Sequence, residues 1–246
     1  MRALLAVLLC LLMASPGCVT PDDDRMILAT TTSMRDSGLL DVLLPAFTNA
    51  TGHEVDVVAV GTGAALNLGR NGDADVLIVH APEAEADFLG EGHGTSRTVF
   101  AWNTFVLLTP EPMNGSLFDV LDAVVESERC FVSRGDVIED RSGIHPDGDW
   151  YLSIGQGMGA AITMADEKRC VTLSDLGTAL FRSDTVDLDL QRYNDTVLLN
   201  PYSIIPLDGP HGAAAEALRT FLLDDAAGVI EAHTVSGEPM FTPGQP

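Results

Sequence analysis

Four stretches of this 246-residue sequence gather small, hydroxyl-bearing or glycine residues: Thr30-Thr31-Thr32-Ser33, Gly61-Thr62-Gly63, Ser133-Arg134-Gly135-Asp136 and Gly155-Gln156-Gly157-Met158-Gly159. Glycine lets a backbone N–H come close to a ligand, and Thr or Ser adds a hydroxyl donor. Arg134 adds a fixed cation with several donors. Such a set suits an anion that carries no proton of its own. Each stretch also has a simpler use. Thr30 to Ser33 fits a helix cap. Gly61-Thr62-Gly63 is a short pattern without the further glycine of a dinucleotide motif. Arg134 fits a surface ion pair, and Gly155 to Gly159 fits a turn. Their common position after successive strands favours the ligand reading, because open α/β sheets bind ligands at the carboxyl ends of their strands.

Enzyme chemistry finds less support. The six histidines (His53, His80, His93, His145, His211 and His233) include no pair at helical metal spacing, so no metal set is expected. His80 sits at a strand end near the expected cleft, where a packing or hydrogen-bonding role is the simpler reading. Ser133 lacks the strand-turn-helix setting of a nucleophile elbow. The 36 acidic residues read as solvated surface rather than as a placed carboxylate pair.

The elements that position these stretches alternate. Strands are expected at Met26–Thr30, Val55–Val60 and Asp75–Val79, each followed by a helical pattern, from Leu39, from Ala64 and from Glu83. Further strands are expected at Phe105–Leu108, Phe131–Ser133, Trp150–Ile154, Val197–Leu199 and Tyr202–Leu207. Further helices are expected at Leu117–Val125, Ala160–Lys168, Leu173–Phe181, His211–Leu223 and Ala226–His233. The stretch 137–149 reads as a loop. Strand–helix alternation implies parallel strands joined by right-handed crossovers. The chain therefore reads as two α/β lobes, the first from 26–108 plus 204–246 and the second from 109–203. Leu108-Thr109-Pro110 and Ser203-Ile204-Ile205-Pro206 are expected to cross between them as a hinge.

Composition bounds the partners. Thirteen Lys plus Arg against 36 Asp plus Glu leave a formal charge of −23. Nucleic acid and an anionic membrane surface are both poor partners for such a chain. The acidity fits adaptation to salt or drift in codon usage. Arg2 followed by the apolar run Ala3–Met13 is too short for a membrane span and describes an export signal over residues 1–17. Ala14-Ser15-Pro16-Gly17-Cys18 is similar to a lipoprotein processing site, making Cys18 the lipidated residue and 18–25 a polar tether. Cys130 and Cys170 remain in the folded part, where a disulfide and two separate buried thiols are both open.

The sequence also carries a resemblance. Leu28 to Ser33 with Asp36-Ser37-Gly38-Leu39-Leu40, Val60 to Leu66, Gly72 to Glu85, Phe131 to Asp136, Trp150-Tyr151-Leu152, Gly155 to Ala160 and Leu199-Asn200-Pro201-Tyr202 follow one another across nearly the whole chain. Together they resemble the solute-binding proteins of Tup-type tungstate ABC transporters. The resemblance implies a two-lobed type II periplasmic-binding-protein fold, with mixed sheets flanked by helices and an oxyanion held in the cleft. It implies Thr31, Thr32, Ser33, Thr62, Gly63, Ser133 and Arg134 as ligand positions. Ser142 is a further donor, and Arg141, Gly157 and Gly159 complete the candidates. It also implies a permease partner, no cofactor and no catalysis; a monomer held to the membrane through Cys18 is expected. One stretch departs from the family, which continues Ser-Arg-Gly-Asp into Asp-Ser-Gly-Thr-His. Here Val137 to Asp140 intervene and Arg141-Ser142-Gly143-Ile144-His145 follows. The alternatives are the same fold binding phosphate, sulfate or molybdate, a phosphate-ester hydrolase, and a surface protein that kept the fold and lost the ligand.

Overall fold

The computed structural model describes residues 25–134 and 148–246. The export signal, Cys18, Asp136, Arg141 and Ser142 lie outside the described residues. Strand β1 (Arg25–Thr31) leads into a short helix α1 (Thr32–Asp36) and then α2 (Leu39–Thr51). Pro45 lies inside α2. It faces solvent, so the carbonyl left without an N–H partner can bond to water. Strand β2 (Glu54–Val60), α3 (Thr62–Asn71), β3 (Val76–Val79) and α4 (Pro82–Gly90) complete the first alternation.

Alternation along these strands explains the layers. Met26, Leu28, Val76 and Ile78 point to one face. Ala29, Leu77 and Val79 point to the other. Period-two side chains therefore feed two cores, one under α2 and one under α3 and α4. Phe47 and Phe88 are fully buried, each contributing about 2–3 kcal/mol on a burial basis.

Strand β4 (Thr98–Thr109) is longer than the expected Phe105–Leu108. After it come α5 (Leu117–Glu126), β5 (Phe131–Ser133), β6 (Tyr151–Ser153) and α6 (Met158–Lys168). Strand β7 (Val171–Asp175) and α7 (Leu176–Arg182) correct the expected single helix over Leu173–Phe181. All five residues of β7 are buried, and they pair with β4 on one side and β5 on the other. The Asp175 side chain accepts from Thr178 N at 2.8 Å and so marks where the helix begins. The chain then forms β8 (Asp189–Gln191), β9 (Leu199–Pro206), α8 (Gly212–Asp224) and α9 (Ala227–Ala232). It ends in the short strands β10 (Thr234–Val235), β11 (Glu238–Pro239) and β12 (Thr242–Pro243).

The main sheet has the order β2-β1-β3-β9-β4-β7-β5-β6, with β8 and β12 also paired to β4. The β1–β2, β1–β3, β5–β6 and β5–β7 pairs are parallel, while β9 and β4 run antiparallel to their neighbours. Strand β4 changes partner midway. Thr98 to Thr104 pair with β9, and Phe105 to Leu108 pair with β7. The cores divide at the same place, because Phe100 and Ala101 pack with α2 and α8 while Phe105 to Leu108 pack with α5 and α6. On the other crossing segment, Leu198 belongs to the second core and Tyr202 to the first. The segments expected as a hinge, 108–110 and 203–206, begin or run inside these ladders. Leu108 pairs with Thr172, and Ser203 to Pro206 pair with β3.

Cys130 and Cys170 form a disulfide with Cα atoms 4.7 Å apart. It joins the residues just before β5 and β7, at the opposite end of those strands from Ser133 and Asp175. Of the two open alternatives, the paired one is observed.

Candidate functional site

Parallel pairing brings the first two candidate stretches and His80 side by side. Thr31 is the register partner of Val60, so Thr32 and Gly61 leave the sheet together. Thr30 pairs with Ile78, which places His80 beside the start of α1. Gly61 is the N-terminal cap of α3 and has no side chain to occupy the first-turn N–H groups of Thr62 and Gly63. In the other half, Ser133 pairs with Ser153, and Ser133 O accepts from Ile154 N at 3.0 Å. Arg134 therefore leaves the sheet next to the Gly155–Gly159 stretch. Gly157 caps α6, again without a side-chain cap, above the N–H groups of Met158 and Gly159.

The two rims meet. A Cβ placed on Gly157 would stand 3.7 Å from Thr32 Oγ1. The positive charge of Arg134, on the second rim, acts on His80 and Tyr202 of the first. Thr31, Thr32, Ser33, Thr62, Gly63, Ser133, Arg134, Gly157 and Gly159 thus all lie at strand ends or helix starts on these two rims.

Their side chains are not equivalent. Thr31 is buried, and its Oγ1 accepts from Met34 N at 3.2 Å, so its hydroxyl serves as the cap of α1. Thr32 and Thr62 are half-buried, Gly63 and Gly157 are exposed, and Ser133 is buried. Ser33 Oγ is 3.1 Å from Thr31 Oγ1 and 3.2 Å from His80 Nε2.

Behind Ser33 runs a chain of polar groups whose residue roles the sequence did not reveal. His80 Nδ1 donates to Asn200 Oδ1 at 3.0 Å. Asn200 Nδ2 donates to Asn103 Oδ1 at 2.9 Å and to the Tyr202 hydroxyl at 3.2 Å. Asn103 and Asn200 face one another across the β4–β9 ladder, where the two cores divide. The Tyr202 hydroxyl also faces Ser33. An asparagine inside an otherwise apolar strand run was the available signal, visible at Asn103 in β4 and Asn200 in β9.

Burial sets the electrostatics here. It pushes His80 below the ordinary imidazole range, helped by the charge of Arg134 and opposed by Asp175, the Asn200 hydrogen bond and Glu85. Burial, with Asp175, pushes the Tyr202 hydroxyl above the ordinary phenol range. Asp175 is itself buried, and its two oxygens accept from Thr178 N and Thr178 Oγ1 at 2.8 and 2.7 Å. Asp175, whose charge acts on both His80 and Tyr202, is therefore turned into its own helix cap. Glu85, fully buried, accepts from Ala81 N and pairs with Arg97 at 2.5 Å, which fixes the turn after His80. An arrangement of helix N-termini, hydroxyls and one guanidinium can hold an anion.

Residues 19–126 match the PBP superfamily domain. The tungstate-binding protein TupA of Peptoclostridium acidaminophilum is 40% identical over 243 residues, which span 89% of this chain and 85% of that protein. The structure of the tungstate-binding protein TupA from Desulfovibrio alaskensis G20 superposes with a TM-score of 0.76 at 33% identity, covering 90% of this chain and 99% of that one. The crystal structure of the tungstate ABC transporter from Geobacter sulfurreducens gives a TM-score of 0.75 at 37% identity, covering 82% of this chain and 95% of that one.

Proposed function

The chain belongs to the TupA family of tungstate-binding proteins and has the fold of type II periplasmic binding proteins, and from that premise we propose how it works. It captures tungstate outside the cytoplasm and hands it to the permease of an ABC transporter. The observation that carries this reading is the meeting of Thr32 and Gly157, at the starts of α1 and α6, across the cleft.

The lobes are those expected from the sequence, 26–108 plus 204–246 and 109–203, a reading supported by the change of partner along β4 and the division of the cores near it. Tungstate sits between them. Thr32 and the α3 N-terminus with Thr62 and Gly63 contact it from one side. Arg134 and the α6 N-terminus contact it from the other. Tungstate and sulfate carry no proton at neutral pH, so a donor-rich site matches them, whereas phosphate retains a proton that needs an acceptor. Asp175, whose charge acts on His80, already accepts two hydrogen bonds within its own helix cap. Closure of the lobes strengthens these contacts by excluding water. The protein acts as a monomeric carrier held to the membrane through Cys18, and it catalyses no reaction.

Titration calorimetry of the protein with tungstate, molybdate, sulfate and phosphate tests the reading. Tungstate is expected to bind tightest. Binding of phosphate in preference to tungstate, or no tungstate binding, overturns it.

A further inference from the structure

Ser33 and His80 are linked in a way that makes the donor count of the cleft depend on one proton. Asn200 Oδ1 has no proton to give, so the His80 Nδ1 that it meets at 3.0 Å must carry one. The neutral ring then offers only a lone pair at Nε2. Ser33 Oγ, 3.2 Å away, is the group placed to donate to that lone pair, and in this arrangement it accepts from Thr31 Oγ1 and the Tyr202 hydroxyl that faces it. Thr31 Oγ1 accepts from Met34 N and can give its own proton only to Ser33 among these partners. In this state Ser33 has no proton for the cleft.

Protonation of the ring reverses the polarity. Nε2–H then donates to Ser33 Oγ, and the Ser33 proton is released toward the anion. From this geometry we infer that His80 is a positioning residue that sets Ser33 as acceptor or donor, and that tungstate capture takes up a proton at His80. The inference rests on the tungstate reading given above and deepens it.

The surroundings support the sign. Five elements present polar or charged groups to the ring: Arg134 after β5, Asp175 at the end of β7, Glu85 on α4, Asn200 and Tyr202 on β9, and Ser33 on α1. In the free protein, burial and Arg134 hold His80 neutral. A bound dianion offsets the charge of Arg134 and accepts the released Ser33 proton, so it favours the charged ring. The pKa of His80 is thus higher in the complex than in the free protein. Affinity is greatest below the free-protein value and falls as pH rises, levelling off once it has passed the value in the complex, by up to about tenfold per unit between the two.

The test is calorimetry of the protein with sodium tungstate at several pH values from about 5 to 8, each in three buffers of different ionisation heat, which counts the protons exchanged. The expected result is net proton uptake on tungstate binding by the native protein within that pH range, and uptake near zero with pH-independent affinity in His80→Gln. Tungstate binding without proton uptake overturns the inference and leaves the family reading standing. Uptake that persists in His80→Gln also overturns it. No tungstate binding at all overturns both. If His80→Gln does not fold, the ring signal of His80 in the native protein is followed by NMR with and without tungstate. A pKa raised by tungstate supports the inference, and an unchanged one overturns it.

Discussion

Gly157 and Thr32 come from opposite sides of the sheet crossing, yet a Cβ on Gly157 would stand 3.7 Å from Thr32 Oγ1. The backbone of Gly157 has extended, negative-φ geometry that any residue can adopt, so a side chain there is limited by the space of the cleft and not by strain. Gly157→Ala is expected to fold and to retain most of its tungstate affinity. Gly157→Leu is expected to fold equally well and lose at least about tenfold in affinity, because its branch occupies the gap between the rims. Calorimetry beside a thermal melt separates the two effects, and Gly157→Leu binding as well as the native protein would mean that the rims do not close on the anion.

Arg134 is the guanidinium at the end of β5. A hydrogen bond to a charged group contributes about 1.5–3 kcal/mol, so Arg134→Ala should weaken tungstate binding roughly tenfold to a hundredfold. Arg134→Lys should recover part of that loss, since it restores the charge without the planar fork. An unchanged affinity in Arg134→Ala removes the residue from the site.

The Cys130–Cys170 disulfide closes a sequence separation of 40 residues. In the chain-entropy account this stabilises the fold by about 4 kcal/mol. Reduction is expected to lower the Tm by about 8–16 °C, at roughly 2–4 °C per kcal/mol for a chain of this size. Tungstate affinity below the new Tm should be largely kept, because the bridge sits at the far ends of β5 and β7 from the cleft. A melt and a titration in reductant check both parts.

The formal charge of −23 repels a dianion at long range, while contacts in a closed cleft are screened little by salt. Tungstate affinity is therefore expected to hold or rise between low and high sodium chloride. A steep loss in high salt, measured by titration at two salt concentrations, would instead place the anion on an open cationic surface.

The parts of the fold that could be read from sequence are those whose burial is decided locally. Val76 to Val79 is a short apolar run closed by a turn, and Leu39 to Leu44 shows a helical face that Pro45 does not end. Thr98 to Asn103 escaped notice because Thr98 and Asn103 break the apolar pattern, and the ladder that makes it a strand comes from the distant β9. Leu173 to Asp175 reads as helix from sequence because its apolar spacing continues smoothly into α7, and only pairing to β4 and β5 decides for strand. The rims of the site were visible as glycine and hydroxyl clusters. The chain from His80 through Asn200 to Asn103 was not, because it depends on the register that sets Asn103 opposite Asn200.

Strand β9 lies between β3 and β4 although it follows both in the chain by a long interval. This sets an order of assembly. The proposed second lobe is contiguous in sequence and can form before β9 is complete. The edge of β3, whose residues Val76 to Val79 end fully buried, waits for its partners Ser203 to Pro206. Until they arrive, an apolar strand with unpaired backbone groups is exposed to other chains. The period of greatest aggregation risk therefore falls late, after most of the protein has already folded, and it ends when β9 inserts.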